Sequence, residues 1–388
     1  MLTTQGWLVA ISSMAMVAAG RLFGIFELYL LGAGGAALVI AAALAVARTR
    51  LRLDITRELH PPRVHVGGPS RVELKVHNRA SRRTPLLTLR DPVGEGRSAS
   101  VVVAPLGFDE TVRATYRLPT DRRGVLRVGP LAVEVTDPFG LASAATRAAP
   151  ATDLTVWPAI DAISALPHTT GDDPHGGTDH PNTLTSAGED FYALRPYVVG
   201  DDLRHVHWRS TARRDELMVR QDEMPWQGRA TILLDTRTEA HTAETFERAV
   251  SAAASVVVAC AGRRFLIRLV TTGGHDTGSG AGNAHVEAIL EHLAVVHTDR
   301  RGHLGATATS LRRAGAGGGA LTILLGGRAE DLDVVGRLRR SFAHCTALTF
   351  REGGDGAGPP GMAVVDDRHP FPEVWRLALA RRRVGATR

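Results

Sequence analysis

Two long apolar runs open the chain, Gly6 to Gly20 and Leu28 to Ala47, separated by a short stretch carrying Arg21, Gly24 and Glu27. The second run holds about 20 residues, enough to cross ~30 Å of hydrocarbon. The pattern predicts a transmembrane helical hairpin over residues 1–50, with a turn outside the bilayer. A secretory signal is the alternative, and it needs a basic start and a small-residue cleavage site after one short apolar region. No basic residue precedes Gly6, and the apolar character resumes for a second full span. Arg48, Arg50, Arg52 and Arg57 crowd the exit of the second run, whereas the turn holds Arg21 close to Glu27. The positive-inside rule then predicts a multi-pass protein of the cell membrane with residues after Ala47 in the cytoplasm, both termini on that side. Gly32, Gly34, Gly35 and Ala36 are small enough to let two helices approach closely.

After Leu51 the period changes. Arg71 to His77 and Thr111 to Leu118 alternate polar and apolar positions, the mark of half-buried strands. Turn signals punctuate the region at Gly67-Gly68-Pro69, Asp91-Pro92, Arg123-Gly124 and Asp137-Pro138-Phe139-Gly140, and no helical period intervenes. Residues 51–158 are expected to form an immunoglobulin-like β-sandwich. Residues 159–228 read as a linker with a dense charged motif. In the linker, His168, Asp172, Asp173, His175, Asp179 and His180 match no rigid metal-ligand spacing, and a tract rich in Gly, Asp, Thr and Pro is a flexible connector in the usual case.

From residue 229 to 388 apolar strands alternate with helical patterns. Strands are expected at Thr231 to Asp235, Phe265 to Val270, Ala320 to Leu325, Thr346 to Phe350 and Met362 to Val365. Helices are expected at Thr242 to Gly262, Ala284 to Val296, Glu330 to Phe342 and Glu373 to Arg383. Near-continuous apolar strands between helices predict a doubly wound parallel sheet, and hence a membrane-anchored α/β protein. Such sheets take ligands at the carboxyl ends of their strands, where Asp235 stands.

Composition changes this picture little. The formal charge of the 388 residues is +6, but Lys75 is the single lysine, so uniform arginine usage reflects coding bias rather than a binding face. No basic run is interleaved with aromatics, which argues against a nucleic-acid partner. Cys260 and Cys345 sit in apolar runs that predict a helix and a strand, and are expected to be buried free thiols.

The candidate chemistry is concentrated in Ser186 to Arg220. Gly188-Glu189 opens it, and Arg195-Pro196-Tyr197 breaks any long helix because proline lacks the amide donor. Gly200-Asp201-Asp202 is a turn or helix start. His205, His207 and Arg209 alternate with Val206 and Trp208 in a pattern suited to an extended run, and Leu217 to Val219 is a further strand candidate. One reading makes Glu189 and Asp201 or Asp202 an acid–base pair with His207 moving protons. A metal site at His205 and His207 lacks a third ligand nearby. The other reading is a network of Glu189, Asp201 and Asp202 with Arg195, Arg204, Arg209 and Arg213 over a buried Trp208, which the balance of charges favours. No nucleophile elbow and no glycine-rich phosphate cradle occurs, so an enzyme is disfavoured.

This segment resembles the signature of the domain of unknown function 58 family: Gly188, Glu189, Arg195 and Tyr197, then Gly200, Asp201, Asp202 and Arg204, then Trp208, Ala212 and Arg213. The resemblance implies two membrane spans, a β-rich region and a C-terminal von Willebrand factor A-like domain. In such domains an Asp-x-Ser-x-Ser run at the first strand end holds Mg²⁺. Here the run is Asp235-Thr236-Arg237-Thr238-Glu239, with arginine and glutamate in the serine positions. No resident metal or cofactor is therefore expected, Asp235 being only a weak candidate ligand. The resemblance also implies a MoxR-type AAA+ ATPase as partner, making the protein an interaction or adaptor protein beside the lipid bilayer. The alternative is a hydrolase built on the acidic and histidine residues of the motif.

Overall fold

A computed structural model describes residues 1–49, 51–167, 191–196, 208–214, 217–222, 228–313, 319–327, 331–353 and 359–385. The chain divides into two compact units, Met1–Ala159 with Leu290–Val296 and Ile160–Ile289 with His297–Arg388.

The first unit begins with α1 (Thr4–Phe23) and α2 (Phe26–Arg48), both long and apolar enough to cross a membrane by length and composition. Their outward side chains, among them Trp7, Ile11, Leu22, Leu30 and Ile40, are exposed, which the core helix of a water-soluble domain would not leave so. The turn between them is tighter than the polar stretch suggested. It consists of Gly24, in the left-handed region at φ 69°, and Ile25, while Arg21 and Glu27 lie inside the helices. The helices touch through glycine. A Cβ on Gly20 would lie 2.6 Å from the Tyr29 amide nitrogen, and one on Gly32 2.7 Å from the Ser13 carbonyl. Gly35 packs on Ser13 in the same way, but Gly34 faces open space.

Ten strands follow: β1 (Leu53–His60), β2 (Arg63–His65), β3 (Arg71–Asn78), β4 (Leu87–Val93), β5 (Arg97–Val103), β6 (Thr111–Arg117), β7 (Gly124–Val128), β8 (Leu131–Thr136), β9 (Ser143–Ala149) and β10 (Thr152–Trp157). They form a three-stranded sheet in the order β1-β3-β6 and a seven-stranded sheet in the order β2-β10-β7-β4-β8-β9, with β5 beside β4. All pairs are antiparallel except β2 with β10. Alternation does what it predicts. Val72, Leu74 and Val76 of β3 are fully buried, and they share one core with Leu87, Leu89, Val133, Leu154 and Val156 of the larger sheet. Each such side chain contributes roughly 1.5–3 kcal/mol on burial.

Asp91-Pro92 is not a turn. It lies inside β4, and the chain reverses two residues later at Gly94 and Gly96, whose positive φ of 57° and 76° suits glycine. Asp91 is instead a buried anchor: it takes the Arg57 guanidinium at 2.8 Å and the Tyr116 hydroxyl at 2.6 Å. Burial, and then the bond to Asp91, hold the Tyr116 phenol far above its ordinary range.

The second unit carries a two-stranded antiparallel pair, β11 (Phe191–Pro196) with β12 (Met218–Asp222), and between them α3 (Trp208–Arg214). Trp208 begins a helix rather than continuing an extended run. The remaining elements are β13 (Arg229–Leu234), α4 (Ala243–Ala261), β14 (Leu266–Thr271), α5 (Asn283–Val295), α6 (Leu304–Arg313), β15 (Ala320–Gly326), α7 (Leu332–Arg339), β16 (His344–Phe350), β17 (Ala363–Val365) and α8 (Phe371–Gly385). The strands make one sheet in the order β14-β13-β15-β16-β17, parallel throughout. Leu233, Leu321, Ile323 and Ala347 pack with Leu304, Ala308 and Leu311 of α6 and Val335 and Leu338 of α7 on one face. The helix α4 packs against β13 to β16 and shares no residue with that cluster, so it covers the other face. Its ends follow the sequence: Thr242 and Thr245 form a reciprocal capping box, and Gly262 closes it. Cys260 in α4 and Cys345 in β16 are buried and in no disulfide, and burial pushes the Cys260 thiol up to about 11.

Candidate functional site

The strand β13 is buried almost along its whole length, and the chain delivers Asp235 from its carboxyl end. From β13 the chain crosses to β14 on one side and returns to β15 on the other. Asp235 therefore stands at the switch point of the sheet, where an open α/β fold leaves a crevice for ligands.

That position is filled from within. The Arg237 guanidinium forks onto Asp235, Nε at 2.9 Å from Oδ1 and the terminal Nη2 at 2.8 Å from Oδ2. The same Nη2 reaches Asp331 Oδ2 at 2.6 Å. The Arg237 amide and the Thr272 hydroxyl also donate to Asp235 Oδ1, at 3.1 Å and 3.2 Å, and the Gly326 amide approaches Oδ2 at 3.4 Å. Asp235 is fully buried, and Arg237 and Asp331 nearly so. Backbone contacts fix the loop: Thr238 donates to the Asp299 carbonyl at 3.1 Å, and Asp299 donates to that of Thr236. Asp331 begins α7 yet makes no side-chain cap, so its carboxylate serves the arginine in place of the helix end.

The electrostatics follow from this geometry. Burial alone would raise the Asp235 carboxyl, but the hydrogen bonds and charge of Arg237 more than reverse it and hold it below the ordinary range. Arg237 is raised in turn, first by its bond to Asp235. Behind the pair lies His241, wholly buried, its Nε2 3.9 Å from Asp235 Oδ2 and without a hydrogen-bond partner. Burial pushes its basicity down, so it is a neutral ring at neutral pH, stacked edge-on to Phe246 at 5.6 Å. One guanidinium against two carboxylates leaves the cluster acidic overall, yet each acceptor on Asp235 is occupied. A ligand cation would have to displace Arg237. Among the described residues, no group of three or more His, Cys, Asp or Glu side chains is disposed to hold an ion.

Asp235 and Arg237 stand close in the sequence itself, whereas Asp331 and Thr272 of the shell come from distant segments. Asp331 fell within a predicted helix, Thr272 two residues beyond a predicted strand, and His241 in a loop. The one available signal was the rule that loops after neighbouring parallel strands converge on the same edge. Glu239 is exposed.

The charged motif is described only in part. Arg195 lies in β11, and Trp208, Ala212 and Arg213 lie in α3. Trp208 is 67% exposed, so it is not the buried floor of a charge network. Gly188, Glu189, Tyr197, Gly200, Asp201, Asp202, Arg204, His205 and His207 lie outside the described residues, as do the linker residues His168, Asp172, Asp173, His175, Asp179 and His180.

No curated protein is similar to the chain. Among solved structures, the CARDB domain of the PF1109 protein of Pyrococcus furiosus, solved with di-metal ions, is 20% identical over 28% of this chain and 96% of that one, with a TM-score of 0.22. The putative ApaA protein of Bordetella pertussis is 15% identical over 28% of this chain and 94% of its own, with a TM-score of 0.20. The alkylpurine DNA glycosylase AlkC of Pseudomonas fluorescens, bound to DNA with an abasic site analogue, is 14% identical over 34% and 39%, again at 0.20. Likenesses this slight carry no weight for fold or function. The informative match is of another kind and takes in most of the charged motif together with the first three strands of the parallel sheet: residues 193–326 match the family described as Protein of unknown function DUF58.

Proposed function

We propose that the protein is a membrane-anchored adaptor that works with a MoxR-type AAA+ ATPase on the cytoplasmic side of the membrane. In this reading the two antiparallel sheets form an immunoglobulin-like β-sandwich, and the parallel-sheet unit is a von Willebrand factor A-like domain. The observation that carries it is the closure of the strand-end site: Asp235, the position that would hold an ion, is saturated by Arg237 of the same chain. A strand end closed from within by buried side chains needs no ion to complete it, so in this reading the edge meets its partner through protein contacts alone. Two apolar, outward-facing helices at the start of the chain support the anchor, and the arginines after Ala47 support the cytoplasmic orientation. Affinity capture of the detergent-solubilised full chain from its native cell tests the proposal. Co-purification of an AAA+ ATPase supports it, and consistent absence of any such ATPase overturns it.

A further inference from the structure

We propose that the turn Asp137–Ser143 is a third contact with the bilayer, its tip residue Phe139 lying in the boundary between headgroups and acyl chains beside α1. This rests on the reading of α1 and α2 as membrane spans. The turn is bound to the membrane end of the hairpin. Leu2 pairs with Ala142 in an antiparallel bridge, the Thr3 amide donates to the Leu141 carbonyl at 3.0 Å, and the Thr3 hydroxyl donates to the Gly140 carbonyl at 2.5 Å. That hydroxyl also accepts the Gly6 amide as the N-cap of α1, so one side chain fixes the helix start and the turn together. The contact extends along the helix, because a Cβ on Gly6 would come 2.0 Å from the Leu141 carbonyl oxygen. Leu141 and Ala142 are buried in one cluster with Val39, Ala42 and Val46 of α2.

At this end of the hairpin Phe139 is 65% exposed and Trp7 58% exposed. With a rise of about 1.5 Å per residue, Trp7 stands roughly 6 Å along α1 from Thr3. Phe23, Phe26 and Tyr29 are exposed at the other end. Trp and Tyr are enriched at both water–lipid interfaces, and Phe139 adjoins Gly140, which the Thr3 hydroxyl holds about one helical turn from Trp7.

The backbone of the turn is prepared for such a place. The Asp137 carboxylate accepts the amides of Phe139 at 2.9 Å and Ala142 at 2.6 Å. The Gly140 amide donates to the Asp137 carbonyl at 3.0 Å, the Asp137 amide donates to that of Ala142 at 3.1 Å, and Pro138 has no amide hydrogen. Polar backbone groups paired internally are what a segment needs before it enters a medium poor in water.

Spin labels on Phe139→Cys, Leu38→Cys in α2 and Glu58→Cys in β1 test this, in the full chain reconstituted into phosphatidylcholine–phosphatidylglycerol vesicles, with the buried Cys260 and Cys345 of the unsubstituted chain as the labelling blank. Collision with oxygen and with a water-soluble nickel chelate reports depth. The expected result is nickel accessibility at Phe139→Cys several-fold below that at Glu58→Cys, with a depth between the other two sites. If Leu38→Cys is in hydrocarbon but Phe139→Cys meets nickel as freely as Glu58→Cys, the third contact is wrong while the spans stand. If Leu38→Cys is itself open to nickel, the spans and the contact fall together.

Discussion

Replacing Arg237 with methionine keeps an unbranched apolar stem and removes the guanidinium with its charge. The Asp235 and Asp331 carboxylates, both buried, then lose their shared counter-ion, and three charge-assisted hydrogen bonds of 2.6–2.9 Å go with it. Breaking a buried pair by removing one partner costs ~3–5 kcal/mol, because the remaining charge stays buried without compensation. For a unit of this size 1 kcal/mol is about 2–4 °C, so Tm should fall by roughly 6–20 °C. The pH dependence has a definite sign. In the wild type the Asp235 carboxyl is held low, so its contribution is full above the unfolded value near ~3.9 and is lost as pH falls through the lower folded value. In the variant burial dominates and the Asp235 carboxyl rises, a penalty that is felt above the unfolded value and relieved in acid. The gap between wild type and Arg237→Met should therefore be widest near pH 7 and narrow towards pH 4. Thermal unfolding of the detergent-solubilised chain at several pH values measures it. A gap below about 2 °C, or one that does not change between pH 4 and 7, would show that Arg237 is not the counter-ion described.

His241 is neutral in the fold and its basicity is depressed, so the unfolded chain takes up a proton first and stability should decline as pH falls below ~6.5; His241→Phe should flatten that slope in the same unfolding series. Asp91→Ala leaves the Tyr116 hydroxyl without its acceptor and strips the buried Arg57 guanidinium of its counter-ion, leaving it only the Pro150 carbonyl and Thr152 hydroxyl, and should cost ~3–5 kcal/mol in denaturant unfolding. Gly20→Val places a side chain against the Tyr29 backbone and should loosen the hairpin, seen as faster proteolysis in detergent. Gly34→Val, in open space, should leave the protease pattern unchanged.

The periodic elements were legible because local chemistry and burial agree in them. Thr242 and Gly262 bound α4 as a cap and a terminator should, and the alternating run Arg71 to His77 became β3 with its apolar face fully buried. The helix α6 was missed because only Leu304, Ala308 and Leu311 mark its apolar side among Gly, Thr and Ser, a pattern too thin to stand out. Asp91-Pro92 misled for a physical reason: its turn composition serves a buried ion pair, and no local rule records a partner 34 residues away. The site shows the same limit. Asp235 and Arg237 are two residues apart and could be paired by eye, whereas Thr272 is 37 residues from Asp235, and Asp331 is 94 from Arg237. Only the register of a parallel sheet brings them to one edge. Trp208 was expected beneath charges and is exposed, because the charge pattern of a segment does not determine which element its aromatic joins.

The central claim is that Arg237 occupies the place of an ion at Asp235. Titration of the detergent-solubilised chain with Mn²⁺, read by the electron paramagnetic resonance signal of the free ion, tests it when wild type is set beside Asp235→Asn and Arg237→Ser. The account predicts that wild type and Asp235→Asn take up the same Mn²⁺, and that Arg237→Ser, which vacates the two carboxylates, takes up one more ion per chain. Uptake by the wild type that disappears in Asp235→Asn would contradict it.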